Sequence, residues 1–181
     1  MPRRPRGEIP TGVYHATVRS AGPIPMFVMN VDCSDFCRRL AKVVMEFDWE
    51  CLAFCLMPTH YHLLLGVDAN RLQPGMLRLN GQFAQAFNRR HGRSGHLFGD
   101  RYHLEPVTSD GHLLHAVRYI ARNPVRKGLC SSPADWLWSS YRGTAGLDGK
   151  FAFVKDAAVQ DYFGGDGEGA LGLLRNFVER D

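Results

Sequence analysis

Three features of the 181-residue chain predict an α+β protein with a ferredoxin-like, split βαβ core. Strand and helix patterns follow one another in the order β-α-β-β-α-β-α, which is typical of that fold. The second and third strands are joined by a tight connection at Pro58-Thr59. The chain has no internal repeat. We therefore expect an antiparallel sheet with helices on one face, followed by a C-terminal helical extension.

Each element is predicted by its own periodicity. Alternating or continuous apolar and β-branched residues predict strands over 13–19, 49–57, 60–67 and 96–107. Apolar residues at helical spacing predict a helix that begins at Asp32 or Ser34 and continues to Phe47. The same spacing predicts helices over 74–90 and 110–122, and a short amphipathic helix near the end of the chain. Pro124 disfavours helical geometry at Asn123, so we expect the third helix to end there.

Composition bounds the domain organisation and the compartment. We expect a basic tail over 1–10, one main domain over 11–145 and a C-terminal extension over 146–181. No apolar run approaches the roughly 20 residues that span a bilayer, and no signal-peptide segment follows the basic start, so we expect a cytoplasmic protein with no membrane partner. The five cysteines form no regular framework, and buried free thiols are favoured over a structural zinc site.

Positive charge is concentrated in a few segments although the net charge is only +4. Residues 71–101 contain six arginines and a single acid, and phenylalanines lie among them. Clustered arginine with interleaved aromatic residues is typical of a nucleic-acid surface, although solvated helix faces can also carry such runs. The candidate DNA-binding residues are Arg3, Arg4, Arg6, Arg78, Arg89, Arg90, Arg93, Arg101, Arg118, Arg122 and Arg126.

The most informative motif is His60-Tyr61-His62, which begins the third predicted strand. Residues i and i+2 of a strand point to the same face, so both imidazoles project together and Tyr61 points away from them. Two neutral imidazoles on one face provide half of a divalent-metal site. A histidine pair at the edge of the core is the alternative interpretation, and the motif alone does not decide between them.

The third predicted helix offers the groups that such a site would need. Tyr119 and Asn123 are four residues apart and therefore share one helical face, with Arg118, Arg122 and Arg126 around them. An amide oxygen is a plausible metal ligand, and the arginines favour a bound phosphate. The alternatives are a half-buried tyrosine and an asparagine that ends a helix before proline, both of which are common.

Four ordered motifs resemble those of the single-tyrosine HUH transposases, and most closely the REP-associated tyrosine transposases of bacteria. They are Met57-Pro-Thr-His-Tyr-His-Leu-Leu-Leu65, Gly95-His-Leu-Phe-Gly-Asp-Arg-Tyr102, Arg118-Tyr-Ile-Ala-Arg-Asn-Pro-Val-Arg-Lys-Gly128 and Asp135-Trp-Leu-Trp-Ser-Ser-Tyr-Arg142. Tyr14-His15 and Asn88-Arg-Arg also match, so the resemblance covers about residues 12–145. Thr59 replaces an asparagine that family members often carry before the first histidine.

The resemblance implies an activity and a set of roles. His60, His62 and Asn123 would hold Mg²⁺ or Mn²⁺, and Tyr119 would attack a phosphodiester of single-stranded or hairpin DNA. The products would be a 5′-phosphotyrosine and a free 3′-hydroxyl, which can later reverse the reaction on another strand. A phenol with an ordinary pKa of about 10 is a weak nucleophile, so the metal and the arginines would assist it.

Two other functions compete with that of a transposase. A domesticated DNA-hairpin-binding protein would keep the basic surface and lose turnover, and the intact set of His60, His62, Tyr119 and Asn123 favours the enzyme over it. An amidohydrolase that uses the histidine pair is disfavoured, because that chemistry usually needs a barrel of about 250 residues. The REP-associated resemblance favours a monomer over a homodimer.

Overall fold

The computed structural model of the protein describes residues 11–68 and 70–180. Four strands form one sheet: β1 (Gly12–Arg19), β2 (Glu50–Met57), β3 (His60–Val67) and β4 (His103–Val107). Six helices surround it: α1 (Asn30–Glu46), α2 (Leu72–Arg90), α3 (Asp110–Arg126), α4 (Tyr141–Thr144), α5 (Asp156–Gln160) and α6 (Glu168–Glu179).

The strand order confirms the predicted fold class. The strands lie in the order β2-β3-β1-β4, and every neighbouring pair is antiparallel. Consecutive strands β2 and β3 are joined directly, whereas α1 connects β1 to β2 and α2 connects β3 to β4. This is the split βαβ arrangement expected from the order of the elements. Only the second half of the extended segment predicted over 96–107 belongs to a strand.

Helices cover both faces of the sheet, which corrects the prediction that they lie on one face. Helices α1 and α2 pack on the face that carries Tyr61, Leu63 and Leu65. Helix α3 packs on the opposite face, where it covers Leu64 and Met57 together with α4, α5 and α6. The reason is visible in β2 and β3, which are buried along almost their whole length. Strands that are apolar on both sides need cover on both faces.

Two predicted helix ends are also corrected. Helix α1 begins at Asn30, and Asp32 lies inside its first turn, where its carboxylate accepts hydrogen bonds from the backbone N–H groups of Val28 and Met29. Helix α3 does not end at Asn123 but continues through Pro124 to Arg126. Lys127 N–H donates to Asn123 O at 3.1 Å, which keeps the last turn closed after the proline. Proline restricts the preceding residue without forbidding the helical conformation.

The segment after α3 packs back on the sheet beside β2. Leu56 N–H donates to Trp138 O at 2.8 Å, and the Trp136 indole N–H donates to Leu56 O at 2.9 Å. Further along, Lys155 N–H donates to Cys51 O at 2.8 Å. Residues after 145 contribute to both faces: Val154 packs in the core beneath α1 and α2, whereas Leu174 and Val178 pack on the α3 face. None of the helices in residues 11–68 and 70–180 is both long and apolar enough to cross a lipid bilayer.

All five cysteines are free thiols, and four of them lie in the core. Burial raises the pKa of Cys33 to about 12 and the pKa of Cys37 to about 12. The pKa values of Cys51 and Cys55 are also raised by burial. These side chains behave as small apolar groups, which agrees with the preference for buried thiols over a zinc site.

Candidate active site

The pairing of β1 with β3 places polar side chains together at one end of the sheet. Thr17 lies opposite His62, and Arg19 lies opposite His60. Both histidines are buried on the α3 face. Tyr61 points to the other face, as predicted, and its hydroxyl donates to Asn80 Oδ1 at 2.6 Å. The histidine motif is therefore anchored from the opposite side of the sheet.

The contacts of the His62 ring favour one tautomer. With the Asn123 amide oriented as in the structure, its Nδ2 donor lies 3.2 Å from His62 Nε2, which then accepts and is unprotonated. The proton is then on Nδ1, which lies 2.9 Å from His15 Nε2 and 3.1 Å from Thr17 Oγ1. This tautomer directs the Nε2 lone pair towards α3. A metal-ligating histidine is usually oriented by such a hydrogen bond from its second ring nitrogen.

Burial keeps these imidazoles neutral at physiological pH. Desolvation, with smaller contributions from His15, His60 and Arg19, lowers the pKa of His62 to about 2. Desolvation and then Arg19 lower the pKa of His60, and the amide of Asn123 opposes that shift. Desolvation also lowers the pKa of His15. Neutral imidazoles offer lone pairs to a metal without first losing a proton.

Asn123 provides the test of whether a divalent ion fits the site. Its side chain is 4% exposed, and its Oδ1 forms no well-aligned hydrogen bond within the described part of the chain. A buried acceptor left unsatisfied costs about 1–3 kcal/mol, which a bound cation would remove. The described residues contain no cluster of three or more His, Cys, Asp or Glu side chains placed to hold a metal. The donor set that fits is thus two imidazoles and one amide oxygen.

Tyr119 lies beside this donor set and remains accessible. Its ring centroid is 5.6 Å from that of His62 and 5.9 Å from that of His15, and both pairs are edge-to-face. The side chain is 41% exposed. Tyr119 and His62 line a cavity of about 400 Å³ between α3 and the β1–β4 edge of the sheet, and His103 and His112 contribute to its wall. Tyr119 therefore lies on the wall of an open cavity.

The three arginines of α3 differ in what they contact. Arg126 places its guanidinium carbon 5.3 Å from the centre of the Tyr119 ring. Arg122 donates to the last carbonyls of α6, at 2.8 Å to Glu179 O and 2.7 Å to Arg180 O. Arg118 also donates to Arg180 O. Arg118 and Arg122 therefore help to dock the end of α6 against α3, whereas Arg126 lies over the tyrosine ring.

Two arginines near α2 are engaged in ion pairs. Arg90 donates to Asp32 at 2.6 Å and to Asp35 at 3.3 Å, and its side chain is 25% exposed. Arg78 Nε lies 2.9 Å from a Glu46 carboxylate oxygen at the surface. The Arg90 pair ties the end of α2 to the start of α1, so a contact with DNA would compete with a structural role. Of these two arginines, Arg90 is therefore the one for which a DNA contact is less compatible with the structure.

The remaining predicted DNA contacts lie elsewhere on the chain. Three are at the end of α2 or in the segment that follows it: Arg89, Arg93 and Arg101. Three lie outside the described residues: Arg3, Arg4 and Arg6. Contact of any of these arginines with DNA stays a prediction.

Two residues that contact His62, Thr17 and His15, have no role predicted from the sequence. Both lie on the α3-facing side of β1, two residues apart, and Arg19 continues the row. A row of polar residues on one face of an otherwise buried strand could have indicated a site. Their meeting with His62 depends on the register between β1 and β3, which sequence spacing does not reveal.

The fold resembles that of a solved protein. The backbone superimposes on the "Structure of the REP associates tyrosine transposase bound to a REP hairpin" with a TM-score of 0.67, at 20% identity over 82% of this chain and 89% of that chain. A transposase candidate from Deinococcus radiodurans R1 is less similar, with a TM-score of 0.46 and 17% identity over 70% of this chain and 97% of that chain. None of the curated proteins matches significantly.

The sequence profile of the IS200-like transposases matches residues 14–123. This range includes both histidines, the tyrosine and Asn123, and it covers more than half of the chain. The chain belongs to the IS200-like transposase family. The resemblance inferred from the sequence motifs is thereby confirmed, and the fold is that of a REP-associated tyrosine transposase.

Proposed function

We propose that this transposase is a metal-dependent endonuclease and strand transferase that acts on hairpin-forming, single-stranded repeat DNA. One observation carries the proposal. Two neutral imidazoles, a buried amide whose oxygen forms no well-aligned hydrogen bond within the described residues, and an accessible tyrosine meet at one end of the sheet. The solved relative is bound to a REP hairpin, which supports hairpin DNA as the partner.

His60, His62 and Asn123 would hold Mg²⁺ or Mn²⁺. When bound, the ion would act as a Lewis acid on the scissile phosphate and stabilise the charge that develops there. The chain contributes the orientation of the site. His15 and Thr17 fix the tautomer of His62, and burial between the sheet and α3 keeps both ligand rings neutral.

Tyr119 would be the nucleophile. Its phenolic oxygen forms a bond to phosphorus and loses its proton to solvent. The bond between phosphorus and the 3′-oxygen breaks, and the released 3′-oxygen takes a proton from solvent. The product is a 5′-phosphotyrosine. Because the phosphodiester energy is kept in this linkage, the reverse attack by another 3′-hydroxyl can join strands without a nucleotide cofactor. Arg126, above the tyrosine ring, is placed to attract the phosphate.

The site is assembled within one chain, since Tyr119 contacts the histidines of its own β1 and β3. In this arrangement the tyrosine and the histidines come from the same chain, and a monomeric state stays a prediction. A cytoplasmic location stays a prediction.

The test uses labelled hairpin DNA taken from inverted repeats beside the gene. With Mn²⁺ or Mg²⁺, we expect nicking and a covalent protein–DNA band on a denaturing gel, and EDTA should abolish both. Tyr119→Phe should bind the hairpin but form no adduct, because only the phenolic oxygen is lost. Tyr162→Phe is the matched control, since Tyr162 is 43% exposed and its hydroxyl donates to Asp110 at the start of α3. An adduct that survives in Tyr119→Phe or in EDTA would refute the mechanism, and hairpin binding by the wild type without any adduct would favour the domesticated binding protein.

A further inference from the structure

The tyrosine of the candidate active site lies where two cavities meet. One is the cavity of about 400 Å³ that Tyr119 shares with His62. The other, of about 520 Å³, is lined by residues of α3 and contains three of its arginines. Two side chains, His115 and Tyr119, line both cavities. His115 therefore shares with the tyrosine both the space beside the metal ligands and the space beside the arginines.

Helical spacing places His115 next to Tyr119. The two residues are four positions apart in α3, so their Cβ atoms are about 5–6 Å apart on one face of the helix. Side chains of a helix lean towards its N-terminus, which directs the tyrosine ring back over the turn that carries His115. His115 is exposed, and the Phe177 ring of α6 packs edge-to-face against its imidazole with the centroids 6.4 Å apart. The imidazole is thus supported beside the phenol and open to solvent.

The cavity beside the metal ligands is rich in histidine, and His115 is the ring in it that has no other task. It contains five of the eight histidines of the chain: His15, His62, His103, His112 and His115. His62 would hold the metal, and His15 is hydrogen-bonded to it. His112 lies a further turn from Tyr119, and its Nε2 is 3.7 Å from a Glu105 carboxylate oxygen. His103 is on β4 and lines this cavity alone.

The cations around Tyr119 cannot take its proton. A guanidinium keeps its charge in proteins and has no acceptor, which excludes the four arginines that line the two cavities: Arg19, Arg118, Arg122 and Arg126. These arginines can attract a phosphate, but the phenol still has to lose its proton as it attacks. An imidazole can both accept and return a proton near neutral pH.

We propose that His115, in place of water, accepts the phenolic proton when Tyr119 attacks DNA and returns it when strands are joined. The inference rests on the proposed function for the reaction itself. In cleavage, the O–H bond of Tyr119 breaks, its proton passes to an imidazole nitrogen, and the phenolic oxygen bonds to phosphorus. The bond from phosphorus to the 3′-oxygen breaks, and that oxygen takes a proton from solvent. In joining, an incoming 3′-hydroxyl loses its proton to solvent and attacks phosphorus, and the released phenolic oxygen recovers its proton from His115.

The test measures the rate at which the covalent adduct forms in a single turnover, with the full-length protein in excess over labelled hairpin DNA and with Mg²⁺ present. His115→Gln should form the adduct about 100-fold more slowly, the lower end of what general acid–base catalysis contributes, with little change in hairpin affinity. Raising the pH should narrow the difference, because hydroxide then removes the phenolic proton. His96→Gln is the matched control, since His96 is exposed and lines neither cavity.

A second measurement separates proton transfer from positioning. Replacing Tyr119 with 3,5-difluorotyrosine gives a more acidic phenol, which depends less on a base. His115→Gln should therefore slow the fluorinated protein by much less than 100-fold. Equal slowing of the two proteins, or a wild-type rate in His115→Gln, would overturn the proposal. A wild type that forms no adduct at all would instead refute the proposed function, so the two failures are distinct.

Discussion

His15 and Thr17 both face His62 Nδ1. Replacing one of them should weaken metal binding moderately, and replacing both should weaken it further. His15 Nε2 is 2.9 Å and Thr17 Oγ1 is 3.1 Å from that nitrogen, so each can accept its proton when the other is lost. The loss of a hydrogen-bonding partner behind a metal ligand typically costs 10–100-fold in affinity. We expect at most about tenfold for His15→Phe or Thr17→Val alone. The double variant should lose about 100-fold, or about 2.7 kcal/mol, because the Nδ1 proton of metal-bound His62 would then have no acceptor and the ring would lose its fixed orientation.

Mn²⁺ binding to the apo protein, followed by electron paramagnetic resonance of the free ion, measures this without DNA or cleavage. His15→Phe keeps a ring next to Tyr119, so the packing around the nucleophile is preserved. Thr108→Val, at an exposed position after β4, is the matched control for the threonine change. Wild-type Mn²⁺ affinity in the double variant would refute the positioning of His62 by β1, and no binding by the wild type would refute the metal site itself.

Three further predictions concern stability and DNA affinity. The folded-state pKa of His62 is about 2, below its ordinary 6.5, so stability from this group is present above pH 6.5 and declines on acidification by up to about 1.4 kcal/mol per pH unit. Urea titrations should show a shallower decline for His62→Asn, and parallel curves would contradict the assignment. Gly75→Ala should destabilise the protein by about 1–3 kcal/mol through its clash with Trp49, whereas Gly81→Ala should not. Removing residues 2–7 should leave the free energy of unfolding unchanged and reduce the log–log salt dependence of hairpin binding by up to about 3, and equal slopes would show that the tail does not contact DNA.

The sheet could be predicted because its determinants are local. Apolar alternation and β-branched residues mark β1, and the short connection at Pro58 joins β2 to β3. The face on which α3 packs is a tertiary choice, although the continuous apolar runs of β2 and β3 imply cover on both sides. The end of α3 was misplaced because the preference of Asn123 before proline is weaker than the packing of α3 on the sheet.

The candidate site was likewise predictable where it depends on local spacing, and unpredictable where it depends on tertiary packing. His60 and His62 could be recognised because their shared orientation follows from a spacing of two along one strand. His15 is 47 positions away from His62, and their hydrogen bond exists only because the β1–β3 register aligns them. The engagement of Arg118 and Arg122 by α6 likewise depends on where the last helix docks. Contacts between distant segments are set by the packed fold, which no local pattern encodes.

The burial of the cysteines makes the protein suitable for site-specific labelling without mutation. Four of the five thiols are in the core, whereas Cys130, just after α3, is partly exposed. Burial also raises the pKa of Cys130, so its alkylation will be slow and is best driven at alkaline pH. A maleimide dye or spin label should therefore attach at one position close to the helix that carries Tyr119. Cys130 of the wild-type protein is thus an attachment point for a probe that reports how α3 responds when DNA binds.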